Sequence, residues 1–328
     1  MASESDQTKA GWLDLAQVMA HCGGRPAQAA EFIANAIASA PEAPEPYGAL
    51  AELWKEQHPD VVEFFQRPRS LETVAAKAYI SFLENDLADA SLALGAVTGM
   101  RPTVAWAKAP WFSDPRYLEA VSAAELAEGA LQTTGYGEDL DDDETRERLE
   151  PWVRAVDTVA GRDPQPDAMA KMAIFLRACG LTDASLALCD RADAVERVLM
   201  IEVVRAGTLR TLGEADQAAA AFERALELDP SNWSLCLDAA DLQAEKGDFA
   251  SAVRLVAQGL EHETDAVTLR AARAAYGARL TGSSADLSEL IELAPELEKE
   301  SYRGFLITVA CDGPDLPDEL RAEALKVM

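Results

Sequence analysis

The chain has 328 residues, with 29 Lys plus Arg against 57 Asp plus Glu for a formal charge of −28, and 49% of it is apolar. At roughly 100 to 200 residues per domain there is room for two or three ordinary domains or one elongated array, and the apolar share excludes a disordered acidic tail. Acid in this excess repels phosphates and anionic lipid, which disfavours sequence-independent nucleic-acid binding and peripheral membrane binding.

Residues 1–9 carry acids where a secretion signal needs a basic stretch and an apolar core, so a flexible N-terminus is expected there. No run of eighteen apolar residues occurs, and no membrane span is expected. From residue 10 onward Ala, Leu and Glu favour helix, and strict β alternation is absent over most of the chain. In the segment 10–43, Gly24, Ala29, Ala36 and Pro41 mark a turn, two small positions on the following helix and a helix stop. The segment 71–104 holds the same offsets with Asn85, Ala90, Leu94 and Pro102, Asn standing in for Gly.

The stretch 105–165 breaks this phase. Trp106, Pro110, Trp111, Phe112, Pro115 and Tyr117 crowd together, followed by a helix through Leu126, by Gly135-Tyr136-Gly137, by an acidic run and by a helix around Trp152. This is either an irregular helical connection with the aromatics as a local core, or an inserted lid or docking surface. The expected organisation is a helical array over 10–134, an acidic loop and linking helix over 135–165, and a second array over 166–328.

The second array is the more regular. Gly213 and Gly247 are 34 residues apart, as are Ala218 and Ala252, and Gly180 leads Gly213 by 33. Between Asp216 and Leu228, Ala218, Ala221, Phe222, Ala225 and Leu226 form one apolar stripe of an amphipathic helix. A 34-residue period denotes a helix-turn-helix unit stacked on copies of itself. Gly213, Ala218, Phe222, Ala225 and Pro230 occupy the glycine, small, aromatic, small and proline positions of the tetratricopeptide repeat, and 223–232 resembles its consensus closely. The resemblance is strongest over 199–266, although the second unit has Gly259 and Thr264 where alanine and proline are usual. It implies an all-α, right-handed superhelical solenoid of antiparallel helix-turn-helix repeats.

Motifs for chemistry are sparse. The five cysteines, Cys22, Cys179, Cys189, Cys236 and Cys311, are scattered without CxxC spacing and read as small apolar residues in a reducing cytosol. Asp139, Asp141, Asp143 and Glu150 match positions one, three, five and twelve of a calcium loop, but Glu144 stands where the turn needs glycine and Arg146 where an apolar residue belongs. A solvated acidic loop leading into a helix is expected instead. The three histidines, His21, His58 and His262, are isolated, and adjacent His21 and Cys22 point about 100° apart on a helix. No nucleotide, zinc-protease or serine-hydrolase motif is present, so no enzyme activity, metal or cofactor is expected.

Stacked hairpins present a concave surface lined by first-helix residues. In the family that the chain resembles, the lining positions fall on Met200, Val203, Gly207 and Arg210, on Ser234, Leu237, Asp241 and Ala244, and on Glu72, Ala75, Tyr79 and Phe82. The lysine and asparagine with which some members grip a C-terminal carboxylate are absent from these positions. The candidate partner-binding residues are therefore Tyr79, Phe82, Val203, Arg210, Leu237, Asp238, Asp241 and Glu245, a mixture of apolar anchors and acid that suits a basic or amphipathic partner. The expected function is a cytoplasmic, bacterial protein-interaction scaffold or adaptor that takes a peptide or helix in its groove. Alternatives are a regulatory module closing on a signalling peptide or small molecule, and an accessory subunit or novel enzyme using 105–165.

Overall fold

The computed structural model describes residues 4–22 and 24–328; the side chains of His21 and Cys22 lie outside the described residues. Among the described residues there are nineteen α-helices and no strand, in two compact units, Met1–Arg197 and Val198–Met328. The first unit contains α1 (Glu4–Gln17), α2 (Pro26–Ser39), α3 (Pro44–Glu56), α4 (His58–Phe65), α5 (Leu71–Leu83), α6 (Leu87–Met100), α7 (Pro115–Leu118), α8 (Ala123–Gln132), α9 (Asp143–Arg162), α10 (Pro166–Ala178) and α11 (Thr182–Asp193). The second contains α12 (Leu199–Thr211), α13 (Ala215–Leu228), α14 (Trp233–Glu245), α15 (Phe249–His262), α16 (Val267–Thr281), α17 (Ser284–Leu293), α18 (Glu300–Cys311) and α19 (Asp318–Ala324).

One turn recurs. Asn85, Gly180, Gly213 and Gly247 all sit at positive φ, between 60° and 81°, each joining two packed helices. The residue after each donates its backbone N–H to the carbonyl five residues back: Asp86 to Ser81, Leu181 to Leu176, Glu214 to Leu209 and Asp248 to Gln243, at 2.8–2.9 Å. This is a left-handed helix stop that satisfies the last carbonyls, and it selects Gly or Asn for want of a Cβ penalty. Helices α12, α14 and α16 begin at Leu199, Trp233 and Val267, 34 residues apart each time. The repeat thus extends through a third hairpin, α16–α17, closed by Gly282 at φ 69°.

Between the helices of a hairpin the packing uses small side chains. Ala218, Ala221 and Ala225 on α13 are fully buried, and Arg224 donates through Nε to the buried Glu202 of α12 at 3.0 Å. In the first unit, α6 and α8 approach until a Cβ on Gly95 would run into the carbonyl of Gly129.

The segment 135–165 does not separate two arrays. The compact boundary falls after Arg197, and α9 is built into the first unit, Trp152 packing on Phe112 (4.6 Å between ring centroids) and on Phe175 of α10 (6.2 Å). A bulky buried indole with partners on both sides makes this helix part of the core. Trp106, Trp111, Phe112 and Tyr117 are buried as well, so the aromatic run is a local core and not a lid. The acidic run ends as a helix start: Asp142 caps α9 by accepting from the N–H groups of Glu144 and Thr145. Residues 4–9, expected to be flexible, belong to α1. Cys179, Cys189 and Cys236 are buried and Cys311 is partly so.

Ala218→Leu is expected to overpack the α12–α13 interface and lower stability by about 1–3 kcal/mol. Its exposed neighbour Gln217 should accept Leu within about 0.5 kcal/mol. Urea unfolding of both variants measures the difference, and equal midpoints would contradict the assigned packing.

Candidate functional site

Helix α14 is buried on most of its circumference. Leu235, Cys236, Ala239, Ala240, Leu242 and Ala244 face the interior, which leaves Ser234, Leu237, Asp238, Asp241 and Glu245 along one stripe at helical spacing. That stripe forms one wall of a cavity of about 800 Å³ in the second unit. Arg210 enters from the end of α12, Val267 and Thr268 from the start of α16, and Tyr302 and Phe305 from α18. The loop before α18 closes another side with Leu297 and the charged residues Glu296, Glu298 and Lys299. Trp233, 38% exposed, stands at the rim.

The polar groups divide into two sets. Arg210 makes a bidentate ion pair with Glu245, its Nε lying 3.1 Å from Oε2 while its terminal nitrogen meets Oε1. Deeper in, Asp241 Oδ1 accepts hydrogen bonds from the hydroxyls of Tyr276, with which it is in close contact, and of Tyr302 at 3.0 Å. Burial pushes the Asp241 carboxyl up to about 6; the two tyrosine bonds act in the opposite direction, and neighbouring Asp238 adds to the rise. Burial likewise raises both tyrosine hydroxyls, so they remain donors. Asp238 is solvent-exposed, yet the cavity walls crowd it and raise its carboxyl against the fields of Arg210 and Lys299.

Of the residues expected from sequence, Arg210, Leu237, Asp238, Asp241 and Glu245 come together here, as does Ser234. Leu237 is only 9% exposed and serves the core as much as the wall. Ala244 is buried, and Val203 is half-buried on α12 and does not line the cavity. Tyr79 and Phe82 do not line this cavity: they belong to the first unit's aromatic packing, where Phe82 is buried against Trp111 (5.4 Å between centroids) and Tyr79 is half-buried against Tyr47 (5.1 Å). The aromatic segment that covers Phe82 lies about thirty residues further on, out of reach of a helix-phase argument. In the same repeat, Glu72 is paired with Arg101 at 3.1 Å.

Sequence reasoning missed Trp233, Tyr276, Tyr302 and Phe305. The 34-residue spacing from Trp233 to Val267 was the signal available for α16; nothing comparable marks α18.

A family model described as tetratricopeptide repeat matches residues 209–276, from the end of α12 to Tyr276 of α16. This segment carries tetratricopeptide repeats. No curated protein matches the chain significantly. Among solved structures, a tetratricopeptide repeat protein from Parabacteroides merdae aligns at 13% identity over 98% of each chain with a TM-score of 0.41. YrrB, a tetratricopeptide protein whose structure is described as having an unusual peptide-binding site, aligns at 16% identity over 66% of this chain and 94% of its own, TM-score 0.36. A human IFIT1 dimer with PPP-AAAA aligns at 12% identity over 100% of this chain and 80% of its own, TM-score 0.42. The tetratricopeptide segment matched by the family model holds Arg210, all of α14 and Tyr276, while the wall formed by α18 lies beyond it.

Asp241 yields a stability test. Its folded pKa lies above the ordinary value near 3.9, so the folded chain holds this proton more tightly than the unfolded one does. The group's favourable contribution is complete below about pH 4 and is lost as the pH rises through about 6. Asp241→Asn keeps an oxygen acceptor for both tyrosines and removes the charge. We expect it to stabilise the protein at about pH 8 by on the order of 1–2 kcal/mol and to change little near pH 4. Thermal unfolding at both pH values measures this; the same Tm shift at each would contradict it.

Proposed function

We propose that the protein is a non-enzymatic interaction adaptor and that the cavity of the second unit holds a segment of a partner protein, as a peptide or a short helix. The observation that carries this is the α14 stripe: a row of carboxylates on a largely buried helix, facing an open cavity that also presents Trp233 from the start of the same helix and Val267, Leu297 and Phe305 from other walls. Apolar side chains of a partner would be desolvated on those walls while its polar groups met the stripe. The lining carries five carboxylates, Asp238, Asp241, Glu245, Glu296 and Glu298, against the two cations Arg210 and Lys299. That balance favours basic or amphipathic polypeptide over a phosphate-bearing nucleic acid.

Peptides selected on the full chain from a random phage-displayed library provide the test. Trp233→Ala is expected to weaken them about tenfold or more, chiefly through faster dissociation. Asp238→Asn combined with Glu298→Gln is expected to slow association at low salt and to flatten its salt dependence. Kinetics unchanged by both sets, with helical content intact, would place the binding surface elsewhere.

A further inference from the structure

Within the cavity, Asp241 is a carboxylate with half of its bonding capacity used. Both tyrosine hydroxyls converge on Oδ1, which fixes the rotamer, and among the described residues nothing donates to Oδ2. The nearby cations are committed elsewhere. Arg210 is held by both oxygens of Glu245 further along α14, and Lys299 acts on Asp238 at the exposed side, without a hydrogen bond to Asp241. The groups facing Asp241 are therefore Asp238 and Glu245 on its own helix, Tyr276 from α16, Tyr302 from α18, and these two cations, neither of which makes an ion pair with it.

A desolvated carboxylate without an ion-pair partner is unfavourable, and the rise of its pKa to about 6, against the more distant field of Arg210, expresses that cost. A cation delivered from outside would recover it through a charge-assisted hydrogen bond in a low-dielectric setting. Two further features define the form of that cation. Tyr302 and Phe305 stack at 6.0 Å between centroids and both line the cavity, which suits a long alkyl stem or a planar guanidinium. The carboxylates of α14 are spread along successive turns, and no group of three or more ligands able to hold a metal ion occurs among the described residues. The site therefore suits one side chain better than an inorganic ion.

Taking the cavity as the docking site proposed above, we infer that it reads a single lysine or arginine of the partner polypeptide, whose cation is seated on Oδ2 of Asp241 beside the rings of Tyr302 and Phe305. Asp241 is then the specificity-determining residue of the groove, and Trp233 and Leu297 take the flanking apolar contacts.

The experiment uses peptides selected from the phage library on the full chain, resynthesised with each lysine in turn as lysine or acetyl-lysine and each arginine as arginine or citrulline. Affinities are measured by calorimetry for the wild type, for Asp241→Asn, and for Glu323→Gln, which removes the same charge from exposed α19, outside the cavity. One position is expected to lose about tenfold or more on neutralisation with the wild type and with Glu323→Gln, and less than about twofold with Asp241→Asn. The inference is overturned if no position is sensitive, or if the sensitive position stays equally sensitive in Asp241→Asn. In either case loss of binding on Trp233→Ala would leave the groove assignment standing. Peptides indifferent to Trp233→Ala, or failure to select any peptide, would remove both.

Discussion

Close approach of helix backbones is the constraint on which this structure rests. A hairpin of two 13- or 14-residue helices buries too little apolar surface to be stable alone, so each must stack tightly on its neighbours. Tight stacking requires alanine or glycine wherever two axes cross, as at Ala218 and Ala252 in the second unit and at Gly95 and Gly129 in the first. It also requires a chain reversal short enough not to spread the pair, which the left-handed stop supplies at Asn85, Gly180, Gly213 and Gly247. Composition follows from geometry: an alanine-rich chain punctuated by glycine at intervals of 33 to 34 residues from Gly180 to Gly247.

The same constraint generates the site. Because α14 is packed by α13, α15 and α16, most of its surface must be small or apolar, and its carboxylates lie along the strip that faces the cavity. Helical phase then forces those residues into line, so Ser234, Asp238, Asp241 and Glu245 end up as one row. Tyr276 adds a second level of control. It is fully buried on α16, yet its hydroxyl reaches across to α14 and satisfies itself on Asp241. A buried phenol that needs an acceptor and a groove carboxylate that needs orienting settle each other's requirement.

How far the sequence could lead was set by how local each signal is. The turn glycines and the alanines five residues after Gly213 and Gly247 are consequences of a single hairpin, so the fold and the convergence of Arg210, Leu237, Asp238, Asp241 and Glu245 on one cavity were legible. Tyr302 is 61 residues from Asp241 and comes from a helix outside the regular period, so no spacing argument could have brought it to the carboxylate. Phe82 is lost to the surface for the converse reason. It sits at the right phase of a first helix, but phase tells which way a side chain points and not whether a later, irregular segment will cover it. The boundary after Arg197 was likewise hidden, because the packing of Trp152 against Phe112 and Phe175 makes a sequence that looks like a linker part of a core.

Charge acts on two scales in this molecule, and they should not be confused. The overall −28 is spread over the surface, and at physiological ionic strength such a field fades over about 8 Å, so it can hasten the arrival of a basic segment without choosing among basic segments. Choice needs a carboxylate taken partly out of water, where one correctly placed cation matters and a diffuse excess of acid does not. Asp241 is the groove residue that meets this condition: it is oriented by two hydroxyls and makes no ion pair, whereas Glu245 is already satisfied by Arg210 and Asp238 is the more exposed of the two aspartates. An incoming side chain would be rewarded at Asp241 for its charge and its reach together. That is why the specificity of the groove is assigned to its least solvated acid rather than to its most numerous ones.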